Sequence, residues 1–174
     1  KAWQGAPVRL VIQKDKQLKP EGFRIRCKDN TVTLSAPTEK GLLYAAYHLL
    51  RLQQTTNFPL SDSKSQLTEN PVYNLILNHW DNMDRTIERG YAGQSLWNWK
   101  ELPNTLSDRY KAYARANASI GINGTVLNNV NADSKILSAE YLQKVKALAD
   151  IFRPYGLRVY LSVNFASPMT LDSL

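Results

Sequence analysis

The chain has 174 residues, with 22 Lys and Arg against 15 Asp and Glu, a formal net charge of +7, 43% hydrophobic and 21% charged residues. That composition can bury a core, which excludes a fully disordered or collagen-like chain. The single cysteine, Cys27, excludes a disulfide within the chain, and no apolar run approaches the roughly 18 residues that span a bilayer. Residues 1–70 carry 11 basic and 6 acidic residues, and residues 71–174 carry 11 and 9. The basic residues of the first part alternate with apolar ones, as in Phe23-Arg24-Ile25-Arg26-Cys27-Lys28. Alternation is the signature of a half-buried strand with a solvated face. A nucleic-acid surface needs a dense basic patch with stacking aromatics, and here the aromatics sit elsewhere. Neither a nucleic acid nor a membrane is therefore expected as a partner.

In chain order, residues 7–13 predict a strand, 22–28 a second and 31–35 a third, with Asp29-Asn30 turning the last two into a hairpin. Thr38 is a plausible N-cap, and Leu42, Ala45, Ala46, Leu49 and Leu50 follow at helical spacing toward Gln54. Residues 1–55 thus form a small α+β domain. Residues 56–70, rich in Ser, Thr, Asn and Pro, have no apolar period and read as a linker.

From residue 71 the pattern changes. Val72–Leu77 predicts a strand, Leu106, Tyr110, Tyr113 and Ala114 a helix to Ala118, and Ile122–Leu127 a second strand. Ser138 caps a helix striped by Tyr141, Leu142, Val145, Leu148, Ile151 and Phe152, and residues 157–163 predict a third strand. Strand, helix, strand, helix, strand implies parallel strands joined by right-handed crossovers. The fold class is α/β, and the expectation for 71–174 is the first three βα units of a truncated (β/α)8 barrel.

In such a barrel, ligands meet the C-terminal strand ends. Here those ends lead into Asn78-His79-Trp80-Asp81-Asn82, Asn128-Asn129-Val130-Asn131 and Asn164-Phe165-Ala166-Ser167-Pro168. An amide offers a donor and an acceptor, which matches a sugar hydroxyl. Trp80 offers a flat face to the C–H surface of a pyranose, and Asp81 an acceptor for vicinal hydroxyls. The candidate substrate-binding residues are Trp80, Asp81, Asn128, Asn129 and Asn164. Turn and cap formation is the alternative role for each Asn. The long loop from Asn82 to Pro103 holds Arg85, Glu88, Tyr91, Trp97 and Trp99. Its tryptophans either line the site or bury themselves beneath the rim. His79 and Asp81 alone do not make a metal site. His48 reads as a surface or core histidine and Cys27 as a small buried hydrophobe. No nucleophile elbow, P-loop or dinucleotide fingerprint is present.

Three motifs carry a resemblance. Residues 78–84 with 87–93, residues 120–131 and residues 159–168 are similar to the signature of glycoside hydrolase family 67, the α-glucuronidases. Residues 1–55 resemble the small α+β domain that precedes the barrel in that family, more loosely, through Glu21-Gly22-Phe23 and Gly41-Leu42-Leu43-Tyr44. Arg85 departs from the family, which carries a small residue there. The resemblance implies removal of (4-O-methyl)-D-glucuronic acid linked α-1,2 to the terminal xylose of xylo-oligosaccharides, with inversion and without a metal or other cofactor. It implies that Asp81, Asp84 and Glu88 are motif residues rather than the catalytic acid and base, which come from later barrel strands. On this reading the chain is a piece of a longer enzyme, inactive alone, catalytic residues lying beyond Leu174. Its partner is a glucuronosylated xylo-oligosaccharide, and a second copy is a further candidate through exposed strand edges. The alternative is a noncatalytic carbohydrate-binding module that uses the same surface.

Overall fold

The structure is a computed structural model that describes residues 9–29, 31–55, 66–69, 74–127, 130–131, 133–167 and 169. The chain divides into two compact units, Lys1–Tyr73 and Asn74–Leu174.

The first unit is a four-stranded sheet with one helix. Strands β1 (Arg9–Lys14), β2 (Phe23–Lys28) and β3 (Thr31–Ala36) precede helix α1 (Glu39–Thr55), and β4 (Gln66–Glu69) follows it. The sheet order is β1-β3-β2-β4. β2 and β3 form the expected antiparallel hairpin, with Ile25 opposite Leu34 and Cys27 opposite Val32. Asp29 turns the chain with a φ of +48°, a left-handed conformation that Asp adopts more readily than most residues. β1 runs parallel to β3. The alternation sends Phe23, Ile25, Cys27, Val32 and Leu34 into a core closed by Tyr44 and Ala45 of α1. On the other face Arg24 pairs with Asp15 at 2.5 Å, and Arg26 directs both Nε and Nη2 at Gln66 Oε1 (3.2 and 3.0 Å). The helix starts where Thr38 Oγ1 accepts the Gly41 N–H at 3.1 Å.

One expectation is corrected here. The stretch 56–70 is not all linker, because Gln66–Glu69 adds an antiparallel strand beside β2. Its residues are exposed apart from half-buried Leu67. It therefore shows no apolar period, and its attachment comes from the ladder, from Leu67 packing on the core, and from Arg24 and Arg26 reaching Thr68 and Gln66. Residues 56–65 lie outside the described residues.

In the second unit, β5 (Ile76–Asn78), β6 (Gly124–Leu127) and β7 (Arg158–Leu161) form a parallel sheet in chain order. Helices α2 (Asp108–Ser119) and α3 (Ala139–Phe152) make the crossovers. The register sets Ile76 beside Gly124 and Gly124 beside Arg158. The strands are shorter than predicted. Their order and direction are as predicted. Ser107 caps α2 by accepting the Arg109 N–H, and Ser138 caps α3 by accepting the Tyr141 N–H. Gly156 closes the 3-10 turn after α3 with a φ of +69°.

The core of this unit holds Trp97, Trp99, Leu102, Tyr110, Ala114, Leu127, Ile136, Leu148 and Phe152, with Val159 and Leu161 packed against it. Both loop tryptophans are therefore buried: Trp97 packs on Tyr110, Tyr113 and Phe152, and Trp99 on Tyr141. A fully buried aromatic contributes on the order of 1.5–3 kcal/mol. The long loop is thus a structural part of the core as well as a rim.

Candidate functional site

Because β5, β6 and β7 are parallel, their C-terminal ends lie on one edge of the sheet. The alternation of a strand continues past Asn78. His79 keeps the ladder with its N–H on Val126 O, and Asp81 forms an isolated antiparallel bridge with Ile87. Side chains that alternate along such a segment point to opposite sides. His79 and Asp81 turn inward, and Trp80 between them is left 52% exposed.

Each flanking residue is tied down. His79 Nε2 lies 2.7 Å from the Tyr113 hydroxyl, which in turn donates to Thr125 Oγ1 at 2.9 Å. Trp97 stands nearly edge-on to both rings, 5.3 Å from His79 and 5.1 Å from Tyr113. Burial pushes the His79 imidazole below its ordinary pKa, while the Asp81 carboxylate pulls the other way. Burial likewise pushes the Tyr113 phenol up, opposed by its hydrogen bonds and reinforced by Asp81.

Asp81, expected to meet sugar hydroxyls, is only 4% exposed. Its Oδ2 accepts from Ser95 Oγ at 2.5 Å, and the same Oγ accepts the Trp97 N–H at 3.0 Å. The bridge to Ile87 explains this, since it turns the carboxylate beneath the loop. The loop is folded on itself around these anchors. Asn82 Nδ2 donates to Thr86 Oγ1 and to Glu88 O, and the Glu88 N–H reaches Trp80 O at 2.7 Å. Arg85 adopts a φ of +75°. Glycine occupies that region without steric cost, which gives a physical reason for a small residue at this position. Arg85 is held there by its N–H on Asn82 O and by Nη2 on Ser95 O.

Asn128 and Asn129 lie outside the described residues. Asn164 is exposed after β7, and its Oδ1 accepts the Ala166 N–H at 2.9 Å, so it shapes a turn as well as facing solvent. Trp80 and Asn164 thus stand on the same strand-end edge, and Asp81 lies below it. Among the described residues no group of three or more His, Cys, Asp and Glu could hold a metal ion. Sequence reasoning reads Tyr113 only as part of a helical stripe and gives no role to Thr125 or Ser95. Nothing in one-dimensional spacing links them to residue 79 or 81, because the contacts join α2, β6 and the loop.

The family model described as "Glycosyl hydrolase family 67 middle domain" matches residues 56–174. The chain is 44% identical over 161 residues to a probable α-glucuronidase A of Aspergillus clavatus, covering 91% of this chain and 18% of that protein. It is 39% identical over 161 residues to α-glucuronidase A of Aspergillus tubingensis, with the same coverage. The chain thus spans about a fifth of the length of these curated relatives. Among solved structures it is similar to a β-N-acetylhexosaminidase (TM-score 0.59, 14% identity, 90% of this chain and 36% of that one). It is also similar to a mutant Streptomyces plicatus β-hexosaminidase (TM-score 0.56, 16% identity, 94% and 35%). At such identities the structural likeness concerns the fold alone: a mixed α/β arrangement shared with glycoside hydrolase domains. The match of the family model over more than half of the sequence, with these relatives, shows that the chain belongs to glycoside hydrolase family 67.

Proposed function

We propose that this chain supplies the N-terminal α+β domain (residues 1–73) and the first three βα units of a (β/α)8 barrel (74–174) in an inverting α-glucuronidase. That enzyme releases (4-O-methyl)-D-glucuronic acid α-1,2-linked to xylose from xylo-oligosaccharides. The observation that carries the reading is Trp80, a half-exposed indole at the C-terminal edge of a parallel sheet, held between half-buried His79 and buried Asp81, both hydrogen-bonded. In the reading Trp80 stacks on the sugar, Asn164 and the amides of Asn128 and Asn129 meet its hydroxyls, and Asp81 supports the loop from below.

Inversion needs a carboxylic acid that protonates the leaving oxygen and a carboxylate that activates water, roughly 6.5–9.5 Å apart. Two acids of this segment, Asp81 and Asp84, are otherwise engaged. Asp81 is bonded to Ser95, and Asp84 accepts from both the N–H and the hydroxyl of Thr86, bonds that hold its carboxyl below the usual range. A group held ionised is a poor proton donor at neutral pH. The family resemblance assigns the acid and base to later barrel strands, outside these 174 residues, and on this reading the chain alone is inactive.

The test is Trp80→Ala in the full-length enzyme. A misplaced sugar costs on the order of a hundredfold in turnover, and that loss is the expected result. Wild-type kinetics would show that Trp80 only packs. Sugar binding without turnover by the full-length wild type would favour a noncatalytic binding module instead.

A further inference from the structure

We propose that Tyr113, on α2 behind the sheet, is a positioning residue for Trp80: its hydroxyl, braced by Thr125, fixes the His79 ring and so the backbone that carries the indole. The inference rests on the reading that Trp80 meets the sugar, and it adds a residue that the sequence motifs do not contain.

The argument starts from the central strand. Thr125 is fully buried in β6, which is paired on both sides, to Leu77 of β5 and Val159 of β7. Tyr113 donates to Thr125 Oγ1 at 2.9 Å. The same Tyr113 oxygen lies 2.7 Å from His79 Nε2. The Thr125–Tyr113–His79 chain therefore ties the ring nitrogen to the central strand and favours one tautomer of the imidazole. The Trp97 ring, at 73° to His79 and 87° to Tyr113, holds both planes by edge contacts. Ring packing thus limits where His79 lies, and the hydrogen bond limits how it spins. The residue next in the chain is Trp80, anchored on its other side by Asp81 on Ser95.

The same core contains a natural comparison. Tyr110 also packs on Trp97, at 5.8 Å, and its hydroxyl accepts the Asn98 N–H at 3.0 Å. It is one helical turn from Tyr113 but has no bond to His79. Tyr113→Phe and Tyr110→Phe each remove one hydrogen-bonded hydroxyl from the same cluster. Only the first cuts the line to Trp80.

The experiment compares the two variants in the full-length enzyme, with glucuronosyl xylo-oligosaccharide as substrate. Tyr113→Phe is expected to lower kcat/KM by about 10- to 100-fold, mostly in kcat, while the folded fraction stays high. Tyr110→Phe is expected to lower thermal stability yet leave kcat/KM within about twofold of wild type, since it touches no part of the sugar edge. Thr125→Ser, which keeps the hydroxyl, should retain most of the wild-type kcat. Equal kinetic losses in the two tyrosine variants, or wild-type kinetics in Tyr113→Phe, would overturn the proposal. A second arm is independent of turnover: imidazole 15N NMR of the wild type should show His79 held in a single tautomer. Rapid exchange between tautomers would overturn the proposal even if Tyr113→Phe fails to fold. If the wild-type enzyme releases no glucuronic acid, the functional reading falls, and the NMR pattern in wild type and Tyr113→Phe decides whether Tyr113 holds His79.

Discussion

Removal of one hydroxyl, in Ser95→Ala, should unlock the loop that carries the candidate site. Ser95 is 2% exposed, and its Oγ both donates to the Asp81 carboxylate at 2.5 Å and accepts the Trp97 N–H at 3.0 Å. The variant leaves a buried carboxylate short of one donor and a buried N–H without its acceptor. A hydrogen bond to a charged group contributes about 1.5–3 kcal/mol, and an orphaned buried donor costs about 1–3 kcal/mol. The two losses share one atom and do not add fully, so about 3 kcal/mol is expected. That is a large share of the roughly 5–15 kcal/mol of a typical domain. Urea unfolding followed by tryptophan fluorescence reads it directly, because Trp97 and Trp99 are buried. The midpoint should fall with the slope unchanged. A loss below about 0.5 kcal/mol, as for an ordinary surface substitution, would refute the claim that Ser95 ties the loop together.

Gly41→Ala should destabilise the first unit, although helix propensity alone favours Ala over Gly by about 1 kcal/mol. A Cβ there would lie 2.6 Å from the Gly22 carbonyl oxygen and 2.8 Å from Ala36 Cβ, and overpacking against backbone costs about 1–3 kcal/mol; a raised thermal midpoint would contradict this. Burial holds the His79 and His48 pKa values below the ordinary 6.5. The unfolded chain therefore binds protons that the folded one does not, and stability present above about pH 6.5 should be lost as pH falls below it. Urea midpoints between pH 7.5 and 5.5 measure this, and a midpoint that rises on acidification would contradict it. Among the described residues β5 and β7 each pair only with β6, and Leu75, Ile76 and Leu77 are exposed, so the 174-residue chain should associate through its strand edges. Light scattering coupled to gel filtration checks this, and a monomer at all concentrations would contradict it.

The parallel three-stranded sheet was legible because each element carries its own period and punctuation. The stripe of α3 from Tyr141 to Phe152 and its Ser138 cap are examples. The hairpin of β2 and β3 was legible from alternation. β4 was not, since a strand held mainly by its ladder and two arginine contacts leaves no apolar pattern. At the strand ends, the positions of Trp80 and Asn164 could be read from the element order alone. The burial of Asp81 could not, because it depends on Ile87 and Ser95, which meet it only when the loop folds back. Trp97 and Trp99 show the same limit: an aromatic in a loop reads alike whether it faces a ligand or fills the core.

The most direct test of the account is 1H NMR of the anomeric proton of the glucuronic acid first released by the full-length protein from a 4-O-methylglucuronosyl xylo-oligosaccharide. Hydrolysis with inversion of an α-linkage yields the β-anomer first, and early spectra should show it in excess before mutarotation. Release of the α-anomer first would contradict the inverting mechanism, and the absence of any released glucuronic acid would contradict the α-glucuronidase reading itself.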